Sequence, residues 1–130
     1  MKYTYVFDES SGICAVTVTG EVKRPEESQI LQQFAHDFGP EKGCSKYLFD
    51  MTRARPIGNT MDIYAAGSCV VDTDNRQKRY KTASVYAELT DDHRFLETVA
   101  VNRGYSMRVF GRDEMNQAIE WLGSDQKGPE

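Results

Sequence analysis

The sequence predicts a single α/β domain built on a mostly parallel five-stranded sheet, with an N-terminal β-hairpin and four helices. Three observations lead there. Short stretches rich in β-branched and aromatic residues alternate with stretches of helical periodicity, in the order β-β-α-β-α-β-α-β-α. The first two extended stretches are joined only by turn residues 8–12, DESSG, which makes them an antiparallel pair. Each later extended stretch is separated from the next by a helical one, the pattern of parallel neighbours with right-handed crossovers.

In chain order, residues 2–7 (KYTYVF) and 13–19 (ICAVTVT) are the hairpin strands. Cys14, Val16 and Val18 make the more apolar face of the second, and Gly20 breaks the pattern. Pro25 opens a helix with Glu26 and Glu27 in its first turn, where a fixed φ and negative charge both suit a helix start. Ile30, Leu31, Phe34, Ala35 and Phe38 recur at helical spacing, Gln32, Gln33, His36 and Asp37 lie off that stripe, and Gly39-Pro40 closes the helix. Residues 46–51 (KYLFDM) are the third strand, followed by a polar, basic loop over 52–59 with Pro56 and Gly58 as breakers.

Asn59 and Thr60 are both good caps for a helix over 60–71, with Asp62 in its first turn. That helix is small or apolar on most sides, so it is expected to be buried or to cover a pocket. After a polar loop over 72–80, residues 82–89 are the fourth strand, with Ala83, Val85 and Ala87 on one face. Thr90 caps a helix that starts Asp91-Asp92, carries Phe95, Leu96, Val99 and Ala100, and stops at Gly104. Residues 105–110 are the fifth strand, and the last helix lines up Met115, Ala118, Ile119 and Leu122, with Trp121 beside them. The domain is expected over residues 1–123, with a polar tail over 124–130.

The net charge of -4 and the pI of about 5.2 argue against a general nucleic-acid binder, which needs a basic face to release counterions. No apolar run approaches the roughly 20 residues of a membrane span, and the start, MKYTYVFDES, lacks the pattern of a signal peptide. Three widely spaced cysteines, Cys14, Cys44 and Cys69, fit a reducing cytoplasm better than a disulfide framework. Cys14 and Cys69 read as packing residues and Cys44, after Gly43, as an exposed loop residue. A cytoplasmic protein is expected.

Three features resemble the SpoIIAA-like proteins of the anti-sigma-factor antagonist (STAS) superfamily. They are the opening strand, turn and strand running into TGEV, the third strand KYLFDM, and the close RGYSMRVFGRDEMNQAIEWL. The resemblance spans residues 2–122 and implies a STAS-like fold and a regulatory or protein-interaction role. Phospho-regulated members carry a serine at the amino end of the helix after the third strand. Thr60 stands at that spot, and Gly58-Asn59-Thr60-Met61 replaces the family's Asp-Ser-Ser-Gly. A second branch resembles lipid-binding CRAL-TRIO domains, which implies apolar ligands and membrane association.

Function is expected where the third strand hands over to the next helix, because open α/β sheets bind ligands at strand carboxyl ends and helix amino ends. The candidate ligand- or partner-binding residues are Arg53, Arg55, Asn59, Thr60, Met61 and Tyr64. Thr60 is a candidate phosphoacceptor, against the plainer reading of a helix cap. Arg53 and Arg55 suit an anionic group, or else are solvated or paired with Asp50 or Asp62. The basic run Arg76, Lys78, Arg79 and Lys81 suits anionic lipid, or else is a charged loop offset by Asp72 and Asp74. No metal-ligand spacing, phosphate loop or nucleophile elbow is present, and neither a metal nor a cofactor is expected. A Cys44–histidine pair depends on His36 or His93 reaching the thiol.

The reading is a non-enzymatic STAS-like regulatory or protein-interaction module with a protein partner. The alternative is a binder or carrier of a small apolar or amphipathic ligand, with membrane association. A cavity under the 60–71 helix separates the two. A homodimer through an exposed helix face or the edge strand over 2–7 is a further expectation.

Overall fold

The computed structural model describes residues 1–59, 61–62 and 80–124. Five strands lie in sequence order: β1 (Lys2–Asp8), β2 (Ile13–Lys23), β3 (Lys46–Ile57), β4 (Lys81–Tyr86) and β5 (Ser106–Gly111). The sheet is mixed, with β1 antiparallel to β2 and the other three ladders parallel. Three α-helices accompany it among the described residues: α1 (Glu26–Lys42), α2 (Asp91–Asn102) and α3 (Met115–Leu122). The expected helix over 60–71 lies outside the described residues, except that Met61 and Asp62 are helical. The single α/β domain therefore stands, with three described helices in place of four.

Alternation along the strands builds one core on each face of the sheet. Cys14, Val16, Val18, Tyr47, Phe49 and Met51 pack under α1 through Leu31, Ala35 and Phe38. Leu48, Ala83, Val85 and Phe110 turn to the opposite face, against Ala118, Trp121 and Leu122 of α3. Lys81 fastens α3: its Nζ donates to the Trp121 and Ser124 carbonyls and sits 4.9 Å from the Trp121 ring centroid. This satisfies carbonyls that a helix end leaves open. On the other face, Glu97 of α2 accepts from the Val109 N–H at 2.6 Å and so occupies a donor of edge strand β5.

The largest departure from the sequence expectation is at 52–59. This stretch is strand as far as Ile57, because β2 runs on beside it to Lys23. Thr19 pairs with Arg53 and Lys23 with Ile57, after a register shift between Thr17 and Thr19. Gly20 does not end β2; it supplies a φ of 86° within it. Pro56 is tolerated for a geometric reason. The Ile57 carbonyl faces β2 and accepts from the Arg24 N–H at 2.8 Å, so the Pro56 nitrogen faces the opposite side. There β3 has no strand neighbour among the described residues, since its pairing with β4 ends at Met51 and Tyr86. A two-stranded ledge thus overhangs the carboxyl end of β4.

Smaller departures have equally local causes. β4 stops at Tyr86, and Ala87 is exposed. His36 is buried on α1 while Ile30 is exposed, and Trp121 is buried while Ile119 is exposed. Cys14 is buried as expected, but Cys44 is buried too; its thiol lies 3.3 Å from the Lys46 carbonyl. α1 passes through Gly39-Pro40 to Lys42 and ends at Gly43. Gly39 serves packing: a Cβ there would stand 2.8 Å from Tyr47 Oη and 2.9 Å from the Cys44 carbonyl. Tyr47 Oη is held in place by donating to the Ala35 carbonyl at 2.8 Å. Gly39→Ala is therefore expected to lower stability by about 1–3 kcal/mol in urea denaturation, as overpacking does. Helix preference alone would raise it by about 1 kcal/mol, so the sign of the change decides.

Candidate functional site

The ledge forms one wall of a cleft at the carboxyl end of the sheet. Ala54, Arg55, Pro56, Ile57 and Gly58 line that side, and Tyr86, Ala87, Glu88, Thr90, Asp92 and His93 line the other. The cleft holds about 370 Å³. A second cavity, of about 130 Å³, lies between α1 and α2 on the same sheet face and is lined by Leu31, Ala35, Phe49, Met51, Leu96, Ala100 and Met107 among others. Arg24 and Tyr86 line both spaces.

Arg24 reaches this junction because β2 extends past Gly20 and its own N–H closes the ladder on Ile57. Its side chain is only 7% exposed. One Nη donates to Tyr86 Oη at 3.2 Å. Among the described residues the one ion pair joins the Met1 ammonium to Glu27, so Arg24 has no carboxylate partner there. Tyr86 is buried, which pushes its hydroxyl up despite the opposing Arg24 charge.

His93 covers Tyr86. Their rings stack with centroids 3.7 Å apart and planes 9° from parallel. The imidazole belongs to a reciprocal cap of α2: Nδ1 accepts from the Thr90 N–H at 3.3 Å, and Thr90 Oγ1 accepts from the His93 N–H at 3.4 Å. Burial first, and the Arg24 cation second, lower its pKa from 6.5 to about 4, against the Glu88 backbone and the Asp92 carboxylate. The imidazole is thus neutral at pH 7.

The residues singled out in the sequence are divided by the structure. Arg55 lines the cleft; Arg53 is exposed on the same strand and does not. Neither forms an ion pair with Asp50 or Asp62 among the described residues. Asp50 Oδ1 instead accepts from the Thr52 N–H at 3.0 Å and the Thr52 hydroxyl at 2.6 Å. Asn59 takes the cap. Its Oδ1 accepts from the Asp62 N–H at 2.9 Å, and Asp62 Oδ2 accepts from the Asn59 N–H at 2.9 Å. Met61 is helical and 72% exposed. Thr60, Tyr64, Cys69 and the basic residues Arg76, Lys78 and Arg79 lie outside the described residues.

Arg24 and Tyr86 were not singled out in the sequence, and His93 was considered there only as a partner for the Cys44 thiol. The one signal was an arginine directly before the proline of a helix start, in VKRPEE. Among the described residues no group of His, Cys, Asp or Glu is placed to hold a metal. No helix among them is long and apolar enough to cross a membrane. Cys44 and Cys14 are both buried, and burial pushes the Cys14 thiol up to about 12.

No family model matches this chain, and no curated protein matches it. Among solved structures it is similar to an uncharacterized protein of the DUF3478 family from Shewanella loihica PV-4, described as having a SpoIIAA-like fold. The two are 14% identical with a TM-score of 0.47, over 92% of this chain and 93% of the other.

His93 gives the site a pH signature. Below about pH 6.5 the unfolded chain takes up a proton that the folded chain refuses down to about 4. The stability from neutral His93 is therefore full above pH 6.5 and lost as pH falls through this window. The groups facing the imidazole are Arg24, Tyr86, Glu88 and Asp92, and Arg55 lines the same cleft. His93→Phe keeps a ring on Tyr86 and removes the proton site. Its stability, followed by urea denaturation, is expected to fall less steeply between pH 6.5 and 4 than that of the wild type.

Proposed function

We propose that this domain is a non-enzymatic binding module that takes a small amphipathic ligand at the carboxyl end of its sheet. The observation that supports it is the pairing of two spaces of different character at one junction. The chamber between α1 and α2 is mostly apolar and holds about 130 Å³. Its volume approaches that of a cavity that admits a benzene-sized guest, with Ser28, Gln32, Ser84 and Ser106 also on its lining. The adjoining cleft is wider, with Arg24, Arg55, Glu88 and Asp92 on its walls. A site of apolar walls with few polar groups is the usual form of a small-molecule pocket. The position also agrees with ligand binding beyond strand carboxyl ends in open α/β sheets.

A second reading, a protein-interaction module of the regulatory kind implied by the STAS resemblance, is favoured by one observation. Ile57 and Met61 are large, apolar and exposed where the ledge ends, with Arg53 and Arg55 on the same ledge. A partner docked there would cover the mouth of the cleft, so the two readings share one surface.

Filling the chamber tests the first reading. Ala100 is buried in its wall. Ala100→Leu is expected to abolish binding of small aromatic probes, followed by ligand-detected NMR, while changing stability by less than about 1 kcal/mol or raising it. If the chamber is not a true void, the same change would overpack the core and cost about 1–3 kcal/mol. That result, or unaltered probe binding, would sink the reading.

A further inference from the structure

We propose that Arg24 is an anion-recognition residue, and that the ligand of this site is a small monocarboxylate with a compact apolar body. This rests on the binding reading above and names the chemical class that the site takes. The argument starts from a buried charge without a counter-charge. Arg24 is 93% buried by its 7% exposure, yet among the described residues its one side-chain partner is the neutral Tyr86 hydroxyl. Buried charges are ordinarily paired. A guanidinium presents five N–H donors in a planar fork matched to a carboxylate. Tyr86 takes one of them, and no carboxylate among the described residues takes the rest.

The surroundings narrow the class. Arg24 lines both the apolar chamber and the cleft, so a head group on the guanidinium leaves its attached body beside Leu31, Leu96 and Met107. The chamber is too small for a long chain and large enough for a phenyl group. Among the described residues the cleft rim carries the exposed carboxylates of Glu88 and Asp92 against one exposed cation, Arg55. A dianion such as a phosphate monoester meets more repulsion there than a monoanion does. His93, the stacked roof of Tyr86, adds no second cation at neutral pH.

The test uses the full chain and three probes of one shape: phenylacetate, its neutral amide and phenyl phosphate. Calorimetry is expected to show phenylacetate binding at least about tenfold more tightly than the amide, the size of a charge-assisted hydrogen bond. Arg24→Met is expected to erase that preference, bringing the affinity for the acid down to that for the amide. Without ligand, its Tm should match or exceed that of the wild type, since an unpaired buried charge has been removed. A second readout needs no variant: phenylacetate, and not the amide, should raise the NMR titration midpoint of His93 by offsetting the nearby cation. Equal affinity for acid and amide, or a preference that survives in Arg24→Met, overturns the assignment of Arg24. Tighter binding of phenyl phosphate overturns the monocarboxylate class. Binding of neither acid nor amide overturns the binding reading itself.

Discussion

Pairing between β2 and β3 continues past the end of β4, and the functional geometry depends on that excess. Over Gly20 to Lys23 β2 pairs with β3 alone among the described residues, and β3 has no β4 neighbour beyond Met51. The ledge carries Arg24 to the junction of the two cavities and fixes it there through the Ile57 carbonyl. A β2 that ended at Gly20 would leave Arg24 in a solvated connection. The positive φ of Gly20 allows the continuation, because a branched residue there would resist that backbone. A sequence feature that reads as a stop signal is thus what lets the strand go on.

Magnitudes decide what Arg24 is for. Taking a guanidinium out of water costs several kcal/mol even after the protein relaxes. One hydrogen bond involving a charged group returns about 1.5–3 kcal/mol. The rim carboxylates, Glu88 and Asp92, are exposed, and exposed charges return about 0–1 kcal/mol even when paired. Within the described residues the contacts of Arg24 therefore do not balance its burial. Lys81 is the instructive contrast: it is half-buried and its ammonium meets two backbone carbonyls and a ring face. Among the described residues, one basic residue is satisfied by the chain's own groups and another is left short.

The sequence carried the fold in the places where local pattern and packing agree. Cys14, Val16 and Val18 alternate because one face of β2 is fully buried. Thr90 with Asp91-Asp92 marked the start of α2 correctly, since a cap is a local interaction. The site was less legible because its parts are not local. Arg24 and Tyr86 are 62 residues apart and meet only through the sheet. The basic stretch after β3 looked like a loop because Pro56 and Gly58 are ordinary breakers, and nothing nearby shows that β2 pairs alongside. His36 and Ile30 exchanged expected environments for a related reason. Helical spacing limits the buried stripe, while packing against the sheet, which the spacing does not show, sets its edges.

The neutrality of His93 links the cleft to the helix behind it. A charged imidazole would set a second cation beside Arg24 and forfeit the Nδ1 lone pair that accepts from the Thr90 N–H. Protonation thus costs twice, once in charge repulsion and once in the first turn of α2. Burial is the larger cause of the low pKa and Arg24 the smaller. An anion on the guanidinium would remove only the smaller, so an occupied site keeps both its stacked roof and its helix cap at neutral pH. Under the proposed anion binding, the cleft would exchange its occupant without unmaking the wall that shapes it.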